Sequence, residues 1–240
     1  MQRHWETEAT PNQGRNGILV VGGPGAGKTA LCSEIVSPTC SQGKQRSLRK
    51  KLLAHHFCQS HDVDTLSVAE FIVHLVNQLS ESALISGYLE RLQGENVDQV
   101  LHSVAQDPDT AFKKLVLYPL LEIEKPKLCS FILVDSIDEN CCTNSLSSCS
   151  SSSHGSSVAP GPSNPSKTIG ELLGNHAHLL PPWLLLVCTA RKQSKSIAKM
   201  FTGFRKIGLD DLRKSQVGSS LSLLTVLDAS WLRIDSIRMS

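Results

Sequence analysis

Short apolar runs, separated by stretches with helical periodicity, recur along the chain and predict a parallel sheet that is covered by helices on both faces. Each run is continuously apolar and lacks strict alternation, as is typical of strands that are buried on two sides. The predicted strands are residues 18–21, 52–57, 131–134, 183–189 and 204–209. Strands that alternate with helices in this way favour the α/β fold class.

Helices are predicted where an N-capping side chain precedes apolar residues at helical spacing. The pairs with this pattern are Ser67 with Glu70, Asp107 with Pro108, and Thr168 with Glu171. The spacing of Ser67 and Glu70 is that of a capping box, in which each residue satisfies an amide of the other. The helix that follows should pack on the sheet.

Composition limits the classes of function that need to be considered. The chain has 240 residues, of which 40% are apolar, and this is enough to bury one domain core. The formal net charge of +2 is too mild to indicate a nucleic-acid partner. Residues 1–13 lack the apolar core of a secretory signal, and the longest apolar run is broken by Pro181 and Pro182. We therefore expect a cytoplasmic protein without membrane insertion.

Residues 143–167 are rich in serine, glycine and proline. Such a segment cannot bury enough apolar surface to offset the conformational entropy that it would lose on ordering. We predict a disordered insertion that divides the chain into two parts. Because neither part alone has enough strands for an α/β core, the two parts should form one fold.

A glycine-rich segment with the sequence GGPGAGKT follows the first predicted strand directly and precedes a helical pattern that Pro38 ends. It matches the Walker A pattern, in which glycines let backbone amides converge on phosphate, a lysine contacts the β and γ oxygens, and a hydroxyl ligates Mg²⁺. The predicted nucleotide-binding residues are Gly22, Gly23, Pro24, Gly25, Ala26, Gly27, Lys28, Thr29 and Ala30. The alternative is a strand-to-helix turn that binds nothing.

Acidic residues follow the third predicted strand, in the run FILVDSIDE over residues 131–139. Asp135 ends a buried strand, as a Walker B carboxylate must, and we predict that it holds magnesium together with Thr29. Asp138 and Glu139 are candidate catalytic residues that would orient or deprotonate an attacking water. The alternative for this pair is a solvated turn or a helix cap.

Arg191 closes the fourth predicted strand, in the run LLLVCTAR. A guanidinium at the carboxyl edge of a parallel sheet would lie beside the phosphates and could sense the γ-phosphate. We predict this role for Arg191. The alternative is an arginine that is bonded to a local carboxylate.

With these three motifs in this order, the chain resembles the STAND class of P-loop NTPases and its nephrocystin-like and NACHT-like modules. Residues 52–72 and 181–214 are similar to the NTPase modules of ankyrin repeat proteins. The resemblance implies a three-layer sandwich of the ASCE type with a five-stranded parallel sheet, ATP or GTP bound with Mg²⁺, and slow hydrolysis. It also implies that Lys28 and Thr29 are the phosphate and magnesium residues, Asp135 the Walker B acid, and Arg191 the sensor.

Three segments depart from that class. Residues 1–16 replace its usual N-terminal part and should form a flexible segment, and residues 143–167 are an insertion after the Walker B strand. Residues 215–240 form an atypical tail in place of the helical, winged-helix and ankyrin parts. We therefore expect a P-loop NTPase domain over residues 17–214 that is truncated and incomplete at its C-terminal end.

The resulting hypothesis is a nucleotide-dependent switch or assembly module of a scaffold protein, with slow NTP hydrolysis at most. Its expected partners are a nucleoside triphosphate and other proteins, and self-association is left open. One alternative is a platform for protein interaction that retains the fold without catalysis. Another is a P-loop phosphotransferase, which would need a closing lid with arginines over the phosphates.

Overall fold

A computed structural model of the chain describes residues 17–39, 43–92, 97–139 and 167–214. In this described part, five parallel strands form one sheet in the order β2-β3-β4-β1-β5. The strands are β1 (Gly17–Gly22), β2 (Leu52–Phe57), β3 (Ser130–Asp135), β4 (Leu184–Arg191) and β5 (Arg205–Gly208). All five predicted strands are confirmed. The predictions for residues 1–16, 143–166 and 215–240 lie outside the described residues.

Helices cover both faces of the sheet and complete the predicted three-layer α/β sandwich. The described helices are α1 (Lys28–Val36), α2 (Lys44–Arg49), α3 (Val68–Glu81), α4 (Tyr88–Leu92), α5 (Val97–Ser103), α6 (Pro108–Phe112), α7 (Tyr118–Glu122), α8 (Ile169–His176), α9 (Lys195–Met200) and α10 (Leu209–Lys214). Among the residues with described structure, no helix has both the length and the apolarity that are needed to cross a lipid bilayer.

Two apolar cores lie on opposite faces of the sheet, and they explain why its strands are continuously apolar. In β1, Ile18 and Val20 belong to one core and Leu19 to the other, because successive side chains of a strand point to opposite faces. The first core is covered by α1 and α2, and the second mainly by α3, α6 and α8. A strand that is buried on both faces needs apolar residues at nearly every position.

Four of the five strands differ from their predicted limits by one or two residues at an end, and two of these differences have identifiable reasons. β4 continues two residues past the predicted end because it stays paired with β1 as far as Gly22, which lies opposite Arg191. β5 ends at Gly208, one residue early, because Leu209 already begins α10. Both differences lie at the edge of the sheet where the candidate site is found.

The predicted helix starts are confirmed, but the capping box at α3 is only half made. Ser67 accepts a hydrogen bond from the amide of Glu70 at 3.4 Å, while its own amide donates to the carbonyl of Asp64 at 3.1 Å. The Ser67 amide is therefore satisfied by a short 3-10 turn before α3, and not by the Glu70 side chain as in a complete capping box. At α8 both halves form, because Thr168 and Glu171 each accept from the amide of the other.

The helical segment that begins at Asp107 contains a π turn, Lys113–Leu117, between α6 and α7. Pro119 has no amide hydrogen to donate to the carbonyl of Leu115, four residues before it. The buried hydroxyl of Tyr88 donates to that carbonyl instead, at 2.6 Å. A side chain from α4 thus satisfies a backbone group that the proline leaves without its usual helical partner.

Candidate functional site

The carboxyl ends of β1, β3 and β4 meet at one edge of the sheet, where an α/β fold usually binds its ligand. The predicted nucleotide-binding residues 22–30 run from the end of β1 into the first turn of α1. Asp135 is the last residue of β3, and Arg191 is the last residue of β4. The fold therefore brings the three sequence motifs together, although β4 separates β1 from β3.

The loop between β1 and α1 has the backbone conformation that its glycines permit. Gly25 and Gly27 have φ angles of 70° and 83°, in the left-handed region that disfavours residues with a side chain. Gly27 is the N-cap of α1, and its carbonyl accepts from the amide of Leu31 at 3.0 Å. We call residues 22–29, which are predicted to bind phosphate, the phosphate loop.

Lys28 begins α1, and its side chain lies back over the first part of the phosphate loop. Its ammonium donates to the carbonyl of Gly22 at 3.0 Å and to the carbonyl of Gly23 at 3.1 Å. The cation is thus held at the mouth of the loop by backbone acceptors. In this position it can exchange main-chain oxygens for the oxygens of an anionic ligand at little cost in movement.

Asp135 is the centre of a buried hydrogen-bond network at the end of β3, and only 2% of its surface is exposed. Its Oδ2 accepts from Thr29 Oγ1 at 2.7 Å and from Ser136 Oγ at 3.3 Å. Its Oδ1 accepts from Thr189 Oγ1 at 2.6 Å and from Cys32 Sγ at 3.4 Å. Both carboxylate oxygens are therefore oriented by donors from α1, β4 and the residue that follows β3.

Burial raises the pKa of the Cys32 thiol, and the neighbouring Asp135 carboxylate raises that pKa further. The thiol therefore stays protonated at neutral pH and acts as a donor toward Asp135. Ser136 adopts a φ of 57°, and in this conformation its amide donates to Thr189 Oγ1 at 2.9 Å. Thr189 consequently accepts from one residue of the turn after β3 and donates to the carboxylate at the end of the strand.

Arg191, Asp138 and Glu139 form a second polar cluster beside this network. The Arg191 guanidinium is paired with the Glu139 carboxylate, and its Nε lies 4.0 Å from Asp138 Oδ2. Asp138 is 1% exposed and accepts from the Arg191 amide at 3.2 Å and from Ser194 Oγ at 2.6 Å. The geometry is that of an arginine bonded to local carboxylates. The sensor role of Arg191 and the catalytic roles of the two acids remain predictions.

Several residues of these networks were not singled out from the sequence. They are Cys32, Ser136, Thr189 and Ser194. Thr189 carried a usable signal, because it is a hydroxyl residue near the end of an otherwise apolar strand, where a buried side chain needs a hydrogen-bond partner. Cys32 and Ser194 became recognisable only after the fold had brought α1 and the segment after β4 to the acids, and Ser136 only after its contact with Asp135 was seen.

Comparison with protein-family models identifies a family that this chain matches. The family model described as Nephrocystin 3, N-terminal, matches residues 2–159 of the chain. This segment contains the phosphate loop and β3 with Asp135, and it ends before α8, β4 and β5. The matched part covers more than half of the chain.

Proposed function

Because the chain belongs to the nephrocystin 3 N-terminal family, we propose that its phosphate loop binds a nucleoside triphosphate, ATP or GTP, together with Mg²⁺. The observation that supports this most strongly is the 2.7 Å hydrogen bond between Thr29 Oγ1 and Asp135 Oδ2. The two residues are 106 positions apart, yet their oxygens meet at the end of the phosphate loop. Hydroxyl and carboxylate oxygens are hard ligands of the kind that Mg²⁺ prefers.

Each residue of the site has a distinct part in this proposal. Thr29 and Asp135 would hold the magnesium ion, which when bound would neutralise charge on the β- and γ-phosphates. Lys28 would bind the same phosphates as a point charge, and the backbone amides after Gly25 would donate to their oxygens. Thr189 would keep Asp135 oriented through its 2.6 Å hydrogen bond.

The pairing of Arg191 with Glu139 suggests how the site could distinguish a triphosphate from a diphosphate. A γ-phosphate would offer Arg191 a second anionic partner in competition with Glu139. The guanidinium would leave Glu139 only when the third phosphate is present. The exchange would then alter the turn after β3, and we propose that this alteration is the switch.

Glu139→Gln is therefore expected to raise the preference for ATP over ADP by about fivefold, since removing a partly exposed ion pair changes binding by about 1 kcal/mol. Arg191→Ala should abolish the preference. The measurement is the dissociation constant of each nucleotide for each variant. Glu122→Gln is a matched control, because Glu122 also forms an ion pair, with Arg91 at 3.7 Å, at the exposed end of α7. Equal changes for ATP and ADP in Glu139→Gln would contradict the switch.

The wider proposal is a cytoplasmic switch or assembly module of a scaffold protein, of the STAND class and similar to the NTPase region of ankyrin repeat domain-containing protein 50. Its hydrolysis should be slow. This expectation is supported by Asp138, which is buried and already accepts from Ser194 Oγ at 2.6 Å. Glu139 is engaged by Arg191 until a triphosphate binds, so that the expectation of slow hydrolysis rests on Asp138.

The experiment that tests nucleotide binding uses the purified full chain with labelled ATP, ADP and GTP, in Mg²⁺ and in excess chelator. We expect binding that weakens at least about tenfold without Mg²⁺, because the metal screens the phosphate charge beside Asp135. Circular dichroism checks that the chain is folded. A folded chain that binds none of the three nucleotides would contradict the proposal and favour an interaction platform.

A further inference from the structure

A carboxylate from the last described helix contacts the start of the phosphate loop. Asp210 Oδ2 accepts a hydrogen bond from the amide of Gly23 at 3.0 Å, across 187 positions of the chain. We infer that Asp210 is a positioning residue of the phosphate loop, which fixes the peptide group that holds Lys28. The expected effect on nucleotide affinity rests on the proposed function, whereas the contact between Asp210 and Gly23 rests on geometry alone.

The sheet explains why these distant residues meet. β5 is paired with β1 in parallel, and Gly208 lies opposite Val21. The residues that follow each strand therefore leave the sheet side by side. Leu209 is 6% exposed and anchors the beginning of α10 in the core below the loop. Asp210 is consequently held beside Gly23 by a buried neighbour and a paired strand.

The contact places one peptide group between two opposite charges. The carbonyl of Gly22 and the amide of Gly23 belong to the same peptide unit. The amide donates to Asp210, while the carbonyl accepts from Lys28 Nζ at 3.0 Å and from the amide of Lys192 at 3.3 Å. A carboxylate at the N–H end and an ammonium at the C=O end both favour this orientation of the peptide dipole.

The sequence of the loop makes such an external constraint necessary. Rotating this peptide group by half a turn changes only ψ of Gly22 and φ of Gly23. Because neither residue has a Cβ, both orientations are sterically accessible to the isolated backbone. In the rotated orientation, the carbonyl oxygen would face the Asp210 carboxylate and would no longer accept from Lys28. Asp210 thus selects the orientation that keeps Lys28 over the loop.

The test compares Asp210→Ala and Asp210→Asn in the full chain by the affinity for Mg²⁺-ATP. The alanine variant should bind about tenfold more weakly, since one hydrogen bond to a charged acceptor is lost. The asparagine variant should stay within about threefold of the original chain, because its side-chain oxygen can still accept from Gly23. Asp211→Ala is the matched control, because Asp211 is exposed in the same first turn of α10.

A second readout needs no nucleotide. In ¹⁵N-labelled protein, the Gly23 amide should be protected from hydrogen exchange in the original chain and in Asp210→Asn, and should lose protection in Asp210→Ala. If nucleotide does not bind but this pattern holds, the proposed function fails and the inference stands. Unchanged ATP affinity and Gly23 protection in Asp210→Ala would overturn the inference. So would an asparagine variant as impaired as alanine in both readouts, because an acceptor for the Gly23 amide would then have no positioning effect.

Discussion

Lys28→Ala is expected to weaken binding of Mg²⁺-ATP by about 100-fold or more, because removing one partner of a desolvated charge pair costs about 3 kcal/mol or more. The fold should survive the change. Lys28 is only half-buried, and the carbonyls of Gly22 and Gly23 that accept from its ammonium each keep a backbone donor after the substitution, the amide of Lys192 at 3.3 Å and the amide of Ala26 at 3.2 Å. The measurement is an equilibrium titration with labelled ATP, alongside thermal unfolding of the same samples.

Lys192→Ala is the appropriate control for this prediction. Lys192 also carries a positive charge at the same edge of the sheet, just after β4, and its side chain is exposed. Its contact with Gly22 is made by the main-chain amide, which the substitution preserves. If the two alanine variants lose affinity equally, then general positive charge, rather than Lys28 in the phosphate loop, is responsible for binding.

Asp135→Ala should have the second large effect, on stability as well as on binding. The carboxylate accepts from Thr29, Thr189, Cys32 and Ser136, and it is almost fully buried. Removing a shared buried acceptor leaves several donors unsatisfied, and we expect a loss of about 3 kcal/mol in the free energy of unfolding. Urea denaturation measures that loss. Magnesium dependence of ATP binding should disappear, since the carboxylate ligand is gone.

Asp135→Asn separates the two effects. The amide keeps one oxygen as an acceptor, and the Thr29 hydroxyl can rotate to accept from the new NH₂ group. We therefore expect asparagine to restore more than half of the lost stability without restoring magnesium dependence. A chain that binds ATP with unchanged magnesium dependence in Asp135→Asn would show that Asp135 is a structural acceptor and not a metal ligand.

Local patterns were sufficient to predict the parts of the site that belong to single segments. Each strand is one continuous apolar run because both of its faces are buried, and the phosphate loop is a contiguous motif between a strand and a helix. Asp135 could be placed at the end of a strand because it directly follows one of these apolar runs. These predictions needed no knowledge of which strands are neighbours.

The remaining features depend on pairing between distant segments, which local patterns do not encode. Thr189 reaches Asp135 only because β4 lies beside β3, and Asp210 reaches Gly23 only because β5 lies beside β1. The partner of Arg191 likewise follows from the approach of the turn after β3 to the end of β4. Short helices such as α2 and α4 have too few residues to show a helical period in the sequence.

The position of β4 in the middle of the sheet also bears on how the chain acquires its structure. β1 and β3 flank β4 and make no direct ladder with each other, so that the sheet stays in two pieces until β4 is made. The family-matched segment, residues 2–159, contains β1, β2 and β3 but not the strand that joins them. During synthesis β1 and β3 therefore keep unpaired edges until β4 has been made. Pairing of β4 then creates both central ladders and brings Thr189 to Asp135, so that this part of the site forms late in folding.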